Sequence, residues 1–197
     1  MIFNFYNIIL LFFLLIFSEV LSLPPCNGDF SGHCTGTVYH RNGEKYIGEI
    51  KNFKYEGKGS YLYVNGNTYV GQFEDGIQNG FGTFTYINGD KYEGDFVNGL
   101  YDGKGTATFS DGEKYSGDFK EDLPHGYGIQ TLPQGDRYKG EFKFGLRSGK
   151  GILTYANGDI YEGEFKDNMF NGLGKYLNSD GSEKYGIFKN NEFIGHK

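Results

Sequence analysis

Two cysteines and two histidines near the start of the chain are the residues whose chemistry is easiest to name. Cys26 and Cys34 are the only cysteines, and His33 and His40 lie close to them in sequence. A pair of cysteines in a secreted protein typically forms a disulfide, whereas a set of Cys and His ligands could hold zinc. The spacing Cys-x7-Cys with one adjacent histidine matches no familiar zinc finger. The pattern therefore favours a disulfide that closes a short loop, with a zinc site of Cys26, His33, Cys34 and His40 as the alternative.

Acidic residues recur at a fixed position along the chain, and their carboxylates could bind calcium. Basic residues recur beside them, so a charge-balanced face in contact with solvent is the favoured interpretation. The acidic residues are Glu49, Asp95, Asp118, Glu141 and Glu164, and the basic residues are Lys45, Lys91, Lys114 and Arg137.

Residues of the common catalytic groups are present but scattered. His33, His40, His125 and His196 occur in no context typical of a Ser-His-Asp or Cys-His arrangement. The recurring Gly-x-Gly pairs are not phosphate-binding loops, because no helix follows them to offer its N-terminus. We therefore expect no enzyme activity, no cofactor and no metal, and we expect the function to lie on a repetitive surface.

The strongest pattern in the sequence is a period of 23 residues. One tyrosine per period, called the marker tyrosine below, and one Gly-x-Gly pair recur at this step. Such self-similarity indicates one supersecondary unit stacked many times, with each unit burying its apolar face on its neighbours. The marker tyrosines are Tyr46, Tyr69, Tyr92, Tyr115, Tyr138 and Tyr161, and the glycine pairs begin at Gly57, Gly80, Gly103, Gly126, Gly149 and Gly172.

Each period is predicted to form a β-hairpin. An Asn-Gly pair or a close relative of it separates two β-prone runs, which is a strong hairpin signal, and the density of glycine excludes a helix. In the third repeat, a three-residue turn at 87–89 would pair Phe84 with Tyr92 and Gly82 with Gly94. This register gathers the aromatic side chains on one face and leaves Thr, Lys and Glu on the other.

These features predict an all-β fold: an elongated, single-layer, twisted antiparallel sheet of seven hairpins. The expected divisions are a signal peptide at 1–22, an N-terminal cap segment at 23–33, the repeats at 34–188 and a C-terminal partial repeat at 189–197. The last repeat deviates, as capping repeats do, because its tyrosine, Tyr185, comes one residue late. One apolar residue in each connecting loop is predicted to fold back over the rings: Ile77, Leu100, Leu123, Leu146 and Met169.

The apolar run at 8–17, IILLFFLLIF, is too short to span a bilayer and is typical of the core of a signal peptide. We expect cleavage after Ser22 and a location in the secretory pathway or outside the cell. An uncleaved membrane anchor is the alternative, since no Lys or Arg precedes the run. Loss of Glu19 would change the formal net charge from −6 to −5. An acidic chain without a basic cluster is unsuited to nucleic acid and to charge-driven binding of anionic lipid.

The repeats resemble those of the MORN (membrane occupation and recognition nexus) family. Its Tyr-x-Gly-x-Phe motif, followed by Gly-x-Gly, is matched by Tyr92-Glu-Gly-Asp-Phe96 and by Tyr161-Glu-Gly-Glu-Phe165, and the resemblance covers about 34–188. It implies a single-layer sheet that acts as a non-enzymatic scaffold. Relatives tether membranes to each other or to cytoskeletal assemblies, some pair through terminal repeats, and phospholipid binding has been attributed to the repeats.

We therefore expect a scaffold that mediates protein–protein interaction in the secretory pathway or at a membrane-associated assembly. Binding of a phospholipid headgroup or a membrane surface is the alternative, and a homodimer through the C-terminal repeats and a weak membrane association are considered as well. The candidate interaction face consists of the marker tyrosines Tyr46, Tyr69, Tyr92, Tyr115, Tyr138 and Tyr161, together with Tyr63, Tyr86 and Tyr155.

Overall fold

The computed structural model describes residues 23–196, so the predicted signal peptide at 1–22 lies outside the described residues. Fifteen strands form one antiparallel sheet in which the spatial order of the strands equals their order in the chain. The strands are β1 (His33–Tyr39), β2 (Lys45–Lys51), β3 (Lys54–Leu62), β4 (Thr68–Glu74), β5 (Ile77–Thr85), β6 (Lys91–Val97), β7 (Leu100–Thr108), β8 (Lys114–Lys120), β9 (Leu123–Thr131), β10 (Arg137–Lys143), β11 (Leu146–Thr154), β12 (Ile160–Lys166), β13 (Met169–Leu177), β14 (Glu183–Lys189) and β15 (Glu192–Gly195).

One edge of the sheet carries the Asn-Gly type turns, and the predicted register is confirmed there. Phe84 pairs with Tyr92 and Gly82 pairs with Gly94. The backbone N–H of Tyr86, two residues after Phe84, donates to the carbonyl oxygen of Asp90 at 2.8 Å and closes the three-residue turn. Glycine at the last turn position takes a positive φ, which costs it little because it has no Cβ.

The other edge carries two-residue turns between consecutive repeats. Both residues of these turns have positive φ, as Asn98 (51°) and Gly99 (82°) show. This geometry matches the right-handed twist of the strands that the turn joins. Because the turn uses only two residues, Leu100 already begins strand β7.

The prediction that Ile77, Leu100, Leu123, Leu146 and Met169 fold over the rings is wrong, because these residues begin strands. The first four are 39–47% exposed. The next residue faces the rings instead, where it pairs with the phenylalanine or isoleucine of the preceding strand. We call this place the covering position; it holds Tyr55, Gln78, Tyr101, Pro124, Arg147, Phe170 and Phe193.

The Tyr-x-Gly-x-Phe motif forms the core because its ring lies across backbone. Tyr92 covers Gly94 and Gly105, and a Cβ on Gly105 would lie 2.5 Å from the Tyr92 hydroxyl oxygen. That hydroxyl donates to the carbonyl oxygen of Asp95 at 2.8 Å, and the same bond recurs for all six marker tyrosines at 2.7–3.0 Å. Phe96 packs edge-on against the ring, with 5.2 Å between centroids. The motif therefore needs tyrosine for both its ring and its hydroxyl.

The recurring acidic residues close a β-bulge. Between the pairs Gly94–Gly105 and Phe96–Tyr101, strand β6 contributes one residue and β7 three. The single residue is Asp95, whose Oδ2 accepts the backbone N–H of Lys104 at 2.9 Å. Glu49, Asp118 and Glu141 accept the equivalent N–H at 2.9 Å. These carboxylates are thus occupied by backbone donors of the fold.

The first hairpin is capped by the segment that carries the cysteines. Cys26 and Cys34 are joined by a disulfide, and the Cys26 amide donates to the carbonyl oxygen of Thr35 at 2.9 Å. A Cβ on Gly36 would contact Cys26 and Phe30. These two side chains therefore cover Gly36 as marker tyrosines cover the later glycines.

The C-terminal end departs from the expectation in two ways. Lys184 occupies the marker position of the last repeat and pairs with Tyr176, while Phe188 stays in register and is buried. Only the tyrosine is therefore displaced, and Tyr185 lies 54% exposed. The partial repeat adds a fifteenth strand to the fourteen that the seven hairpins provide, and its Phe193 packs against Phe188 at 5.2 Å.

Candidate functional site

The six marker tyrosines are core residues, with exposed fractions of 0–2%. Burial raises the pKa of Tyr69 and of Tyr161 to about 12, so their hydroxyls are neutral donors at physiological pH. Rings buried to this degree cannot contact a partner in the folded sheet, and the expectation that they belong to the interaction face is corrected. Of the nine candidate tyrosines, Tyr63, Tyr86 and Tyr155 remain partly exposed.

The inner face is the side of the sheet on which the marker tyrosines lie. Its partly exposed rings form a continuous ladder in the N-terminal half. The centroid distances are 4.6 Å for Tyr61–Tyr63, 5.6 Å for Tyr63–Phe84 and 4.7 Å for Phe84–Tyr86. Rings held in this way on strands lose little conformational freedom on binding and suit contact with a partner.

The ladder is interrupted at Ala107. This residue pairs with Tyr92 and Tyr115 as Phe84 pairs with Tyr69 and Tyr92. A methyl group therefore lies where the two preceding repeats carry a ring, Tyr61 and Phe84. A cavity of about 480 Å³ on the inner face includes this position and is called the Ala107 cavity below. Its floor contains buried Tyr92, Phe96, Tyr115 and Phe119, and its rim contains Phe84, Tyr86, Tyr101 and Phe109.

Polar groups lie at the rim of the Ala107 cavity. The Tyr86 and Tyr101 hydroxyl oxygens are 2.8 Å apart and share a hydrogen bond. Asp122 Oδ1 accepts the backbone N–H of Tyr101 at 2.8 Å, and Asp90 Oδ1 accepts that of Ser110 at 2.8 Å. The hydrogen bond from the Ser110 backbone holds the pKa of Asp90 below its usual value. The cavity therefore combines aromatic walls with carboxylates at its rim.

A polar chain crosses the inner face beyond the cavity. Gln130 Nε2 donates to Glu113 Oε1 at 2.6 Å, and Arg147 Nε donates to Gln130 Oε1 at 2.9 Å. The guanidinium lies 5.2 Å from the ring centroid of Tyr138, and burial lowers the pKa of Arg147. The sequence analysis did not identify these hydrogen-bonded side chains or Ala107. The signal was available, because Ala107, Gln130 and Arg147 differ in type from the residues at the same positions of other repeats.

The outer face, opposite the marker tyrosines, is less polar than predicted. Its exposed side chains include Ile47, Val70, Phe81, Tyr127 and Ile152, which are 39–57% exposed. They alternate with inward-facing residues along their strands, as the period of two requires. The prediction of an outer face covered by Thr, Lys and Glu is therefore only partly correct, because these apolar side chains lie among the polar ones.

The zinc alternative is wrong, because the two cysteine sulfurs are bonded to each other. His33 Nε2 lies 3.3 Å from a Glu49 carboxylate oxygen, and His40 Nε2 lies 2.6 Å from the Tyr55 hydroxyl. Within residues 23–196, no three His, Cys, Asp or Glu side chains are grouped as metal ligands. The same part of the chain contains no helix long and apolar enough to cross a membrane.

Solved structures with a similar arrangement of strands include two from Drosophila melanogaster. One is the SAS-4 (dCPAP) TCP domain in complex with a proline-rich motif of Ana2 (dSTIL), which is 14% identical, with 78% of this chain and 90% of that chain covered and a TM-score of 0.45. The other is the TCP10c domain of Sas-4, also 14% identical, with 78% and 91% covered and a TM-score of 0.44. No curated protein matches the sequence.

The family model for the MORN repeat matches six consecutive segments, which are 46–68, 69–91, 92–114, 115–137, 138–160 and 161–183. Each segment begins at a marker tyrosine, so the model and the structural repeat share one phase. The matched segments are contiguous and cover most of the chain. The chain belongs to the MORN repeat family.

Proposed function

We propose that this chain is a non-enzymatic scaffold that binds another protein through the partly exposed portion of its inner face. Membership of the MORN repeat family indicates a repeat scaffold or binding module. The observation that carries the proposal is the ring ladder that ends at the Ala107 cavity, because these rings stay accessible while the marker tyrosines complete the core.

A protein segment fits this face better than a membrane does. The chain is acidic, and Asp90 and Asp122 lie at the rim of the cavity, so phosphate groups of lipids would meet like charge. Aromatic anchors on rigid strands are typical of the centre of protein interfaces. Binding of a phospholipid headgroup is the alternative outcome of the tests below.

The proposed location is the secretory pathway. The apolar run at 8–17 supports this location, and so does a disulfide that an oxidising compartment would preserve. We expect protein collected from the medium of expressing eukaryotic cells to begin at Leu23. Recovery of chains that retain 1–22 in the membrane fraction would favour an uncleaved anchor instead.

Photo-cross-linking from the two faces tests the binding surface. A photoreactive phenylalanine replaces Phe109, which is 40% exposed on the inner face, or Tyr127, which is 50% exposed on the outer face. We expect a discrete cross-linked protein from position 109 and none above background from position 127. Equal products from both faces, or products from position 127 alone, would contradict the proposal. Flotation with phospholipid vesicles that persists at high salt, without a cross-linked protein, would favour the lipid alternative.

Self-association through the C-terminal edge is a second candidate, favoured by an asymmetry between the two ends. The β1 edge is bridged by Pro25, which pairs with Thr35, whereas β15 pairs only with β14 within residues 23–196. An open strand edge is a template for pairing with another chain. Light scattering should give a dimer mass that Ile194→Lys, at a 60% exposed edge position, converts to the monomer mass. A monomer mass for the unchanged protein would exclude this candidate.

A further inference from the structure

We propose that the Ala107 cavity receives a basic side chain, Lys or Arg, from the bound protein, with the apolar stem on the rings and the charged head at Asp122. The inference rests on the proposed function, since it specifies what the inner face recognises. It makes Asp122 and the rings of the cavity the residues that determine specificity.

The walls suit the stem and the charge of such a side chain. Lys and Arg place a methylene stem against apolar surface while the charged head stays polar, and a cation within about 6 Å of an aromatic face is attracted to it. Phe109, at the rim, is 40% exposed and makes no ring–ring contact with another described residue. Tyr101 stacks on Tyr92 at 3.7 Å and also lines the cavity.

The charges at the rim set the sign of the ligand. Asp122 uses Oδ1 for the Tyr101 amide, and no described residue donates to its Oδ2. Asp90 is more fully engaged, since Asn88 Nδ2 donates to its Oδ2 at 2.9 Å. The one basic residue of the cavity, Lys91, pairs with Glu93 at 2.7 Å. Two carboxylates without a cationic partner in residues 23–196 thus face a cavity with aromatic walls.

The same charges disfavour other occupants. A purely apolar side chain would make neither a hydrogen bond nor an ion pair with Asp122. A phosphate-bearing headgroup would place negative charge next to Asp90 and Asp122. An ammonium or guanidinium group can donate hydrogen bonds to Asp122, which a quaternary ammonium group cannot do.

The chain itself supplies the substitutions for a test. Asn168 and Asn191 occupy the turn position of Asp122 in later repeats and accept the equivalent backbone N–H at 2.9 and 2.8 Å, with φ of 69° and 70° against 68° for Asp122. Asp122→Asn therefore removes the charge and keeps the turn. Leu153 is the counterpart of Ala107 two repeats later and is 5% exposed, so Ala107→Leu should occupy the part of the cavity next to residue 107 within the same backbone.

The chain contains only two alanines, so methyl NMR reports on the cavity directly. Ala107 forms its floor, and Ala156 lies in a distant turn and serves as the internal control. The probes are n-butylammonium and n-propylguanidinium chloride, with 1-butanol as the neutral control and phosphocholine as the headgroup control. We expect the Ala107 methyl resonance to shift saturably with the two cations, and the Ala156 resonance to stay unchanged. Asp122→Asn should weaken the binding about fivefold, the size of one charged hydrogen bond at a partly exposed site, whereas Asp167→Asn, a turn residue outside the cavity, should not.

The outcomes separate this inference from the proposed function. Equal shifts with 1-butanol, or binding unchanged by Asp122→Asn, would overturn the inference, and stronger binding of phosphocholine would assign the cavity to a lipid headgroup. The protein that cross-links from position 109 is then tested for binding to variants that lack the photoreactive residue. Weaker binding to Ala107→Leu and to Asp122→Asn, but not to Asp167→Asn, supports the inference. Retained binding by all three variants overturns it and leaves the proposed function intact. Saturable cation binding without any cross-linked protein would instead refute the proposed function.

Discussion

Replacing Tyr115 with alanine tests the central claim about the core, that the marker tyrosines connect neighbouring repeats. The ring is 2% exposed and packs edge-on against Phe119 at 5.0 Å and against Phe142, in the next repeat, at 4.9 Å. Its hydroxyl donates to the carbonyl oxygen of Asp118 at 2.8 Å. Loss of a buried ring of this size should lower the free energy of unfolding by about 3–5 kcal/mol. Tyr115→Phe removes only the hydroxyl and should cost about 1–3 kcal/mol, because it leaves a buried carbonyl without its donor.

The matched control is Tyr185→Ala, which removes the same side chain from the last repeat. Tyr185 is 54% exposed on the other face, so its loss should change the free energy of unfolding by less than about 1 kcal/mol. Urea denaturation followed by circular dichroism measures both variants. In a linear stack of repeats, an interface at the centre contributes more to the free energy of unfolding than an exposed residue at the end. Equal shifts of the two midpoints would refute the assignment of Tyr115 to an interface between repeats.

Three further predictions concern titration, packing and covalent structure. Burial raises the pKa of Tyr69 and of Tyr161 from 10 to about 12, so between these pH values the unfolded chain loses these two protons first. The free energy of unfolding should therefore fall above pH 10, by about 1.4 kcal/mol per pH unit for each such tyrosine, and tyrosinate absorbance should rise together with loss of the circular dichroism signal. Gly105→Ala would place a Cβ against the Tyr92 ring and should cost about 3 kcal/mol in urea denaturation, whereas Gly32→Ala, which meets open space, should cost almost nothing. The intact mass should be lower than that of the reduced chain by two hydrogens, and two freely alkylated thiols would contradict the disulfide. Cys34→Ser should lower the free energy of unfolding by about 2–3 kcal/mol in the same denaturation assay, because the disulfide joins residues eight apart.

The hairpins and their register could be predicted because their signals are local. An Asn-Gly type turn fixes the loop length, and the alternation of rings then selects one register, which the pairing of Phe84 with Tyr92 confirms. The covering position could not be predicted in the same way. Phe53 and Phe144 take positive φ, 63° and 49°, in the turns between repeats. Bulky residues rarely adopt this conformation, so the signal that Asn98-Gly99 gives for a two-residue turn is not repeated in every repeat.

The candidate face was harder to predict than the fold, because side-chain type does not tell a core ring from an exposed one. Tyr46 and Tyr63 lie on the same face, yet the first is fully buried and the second is partly exposed. The difference arises from position: the ring of Tyr46 lies across Gly48 and Gly59, while Tyr63 follows the strand at the turn edge. Burial therefore depends on the glycines opposite a ring, which a count of aromatic residues does not include.

The repeats of this chain act as a substitution series on one backbone. At the marker, glycine and phenylalanine positions the residue hardly changes, because a Cβ on either glycine would collide with the ring. The column that contains Ala107 varies instead, through Val38, Tyr61, Phe84, Ala107, Gln130, Leu153 and Tyr176. The same strand pairing accepts all of these side chains, so the fold does not require any particular one of them. What changes along the column is the chemistry presented on the inner face: two rings, Tyr61 and Phe84, precede the cavity, and Gln130, Leu153 and Tyr176 follow it. A partner that distinguishes this face from that of another repeat sheet must therefore contact the variable column across several repeats.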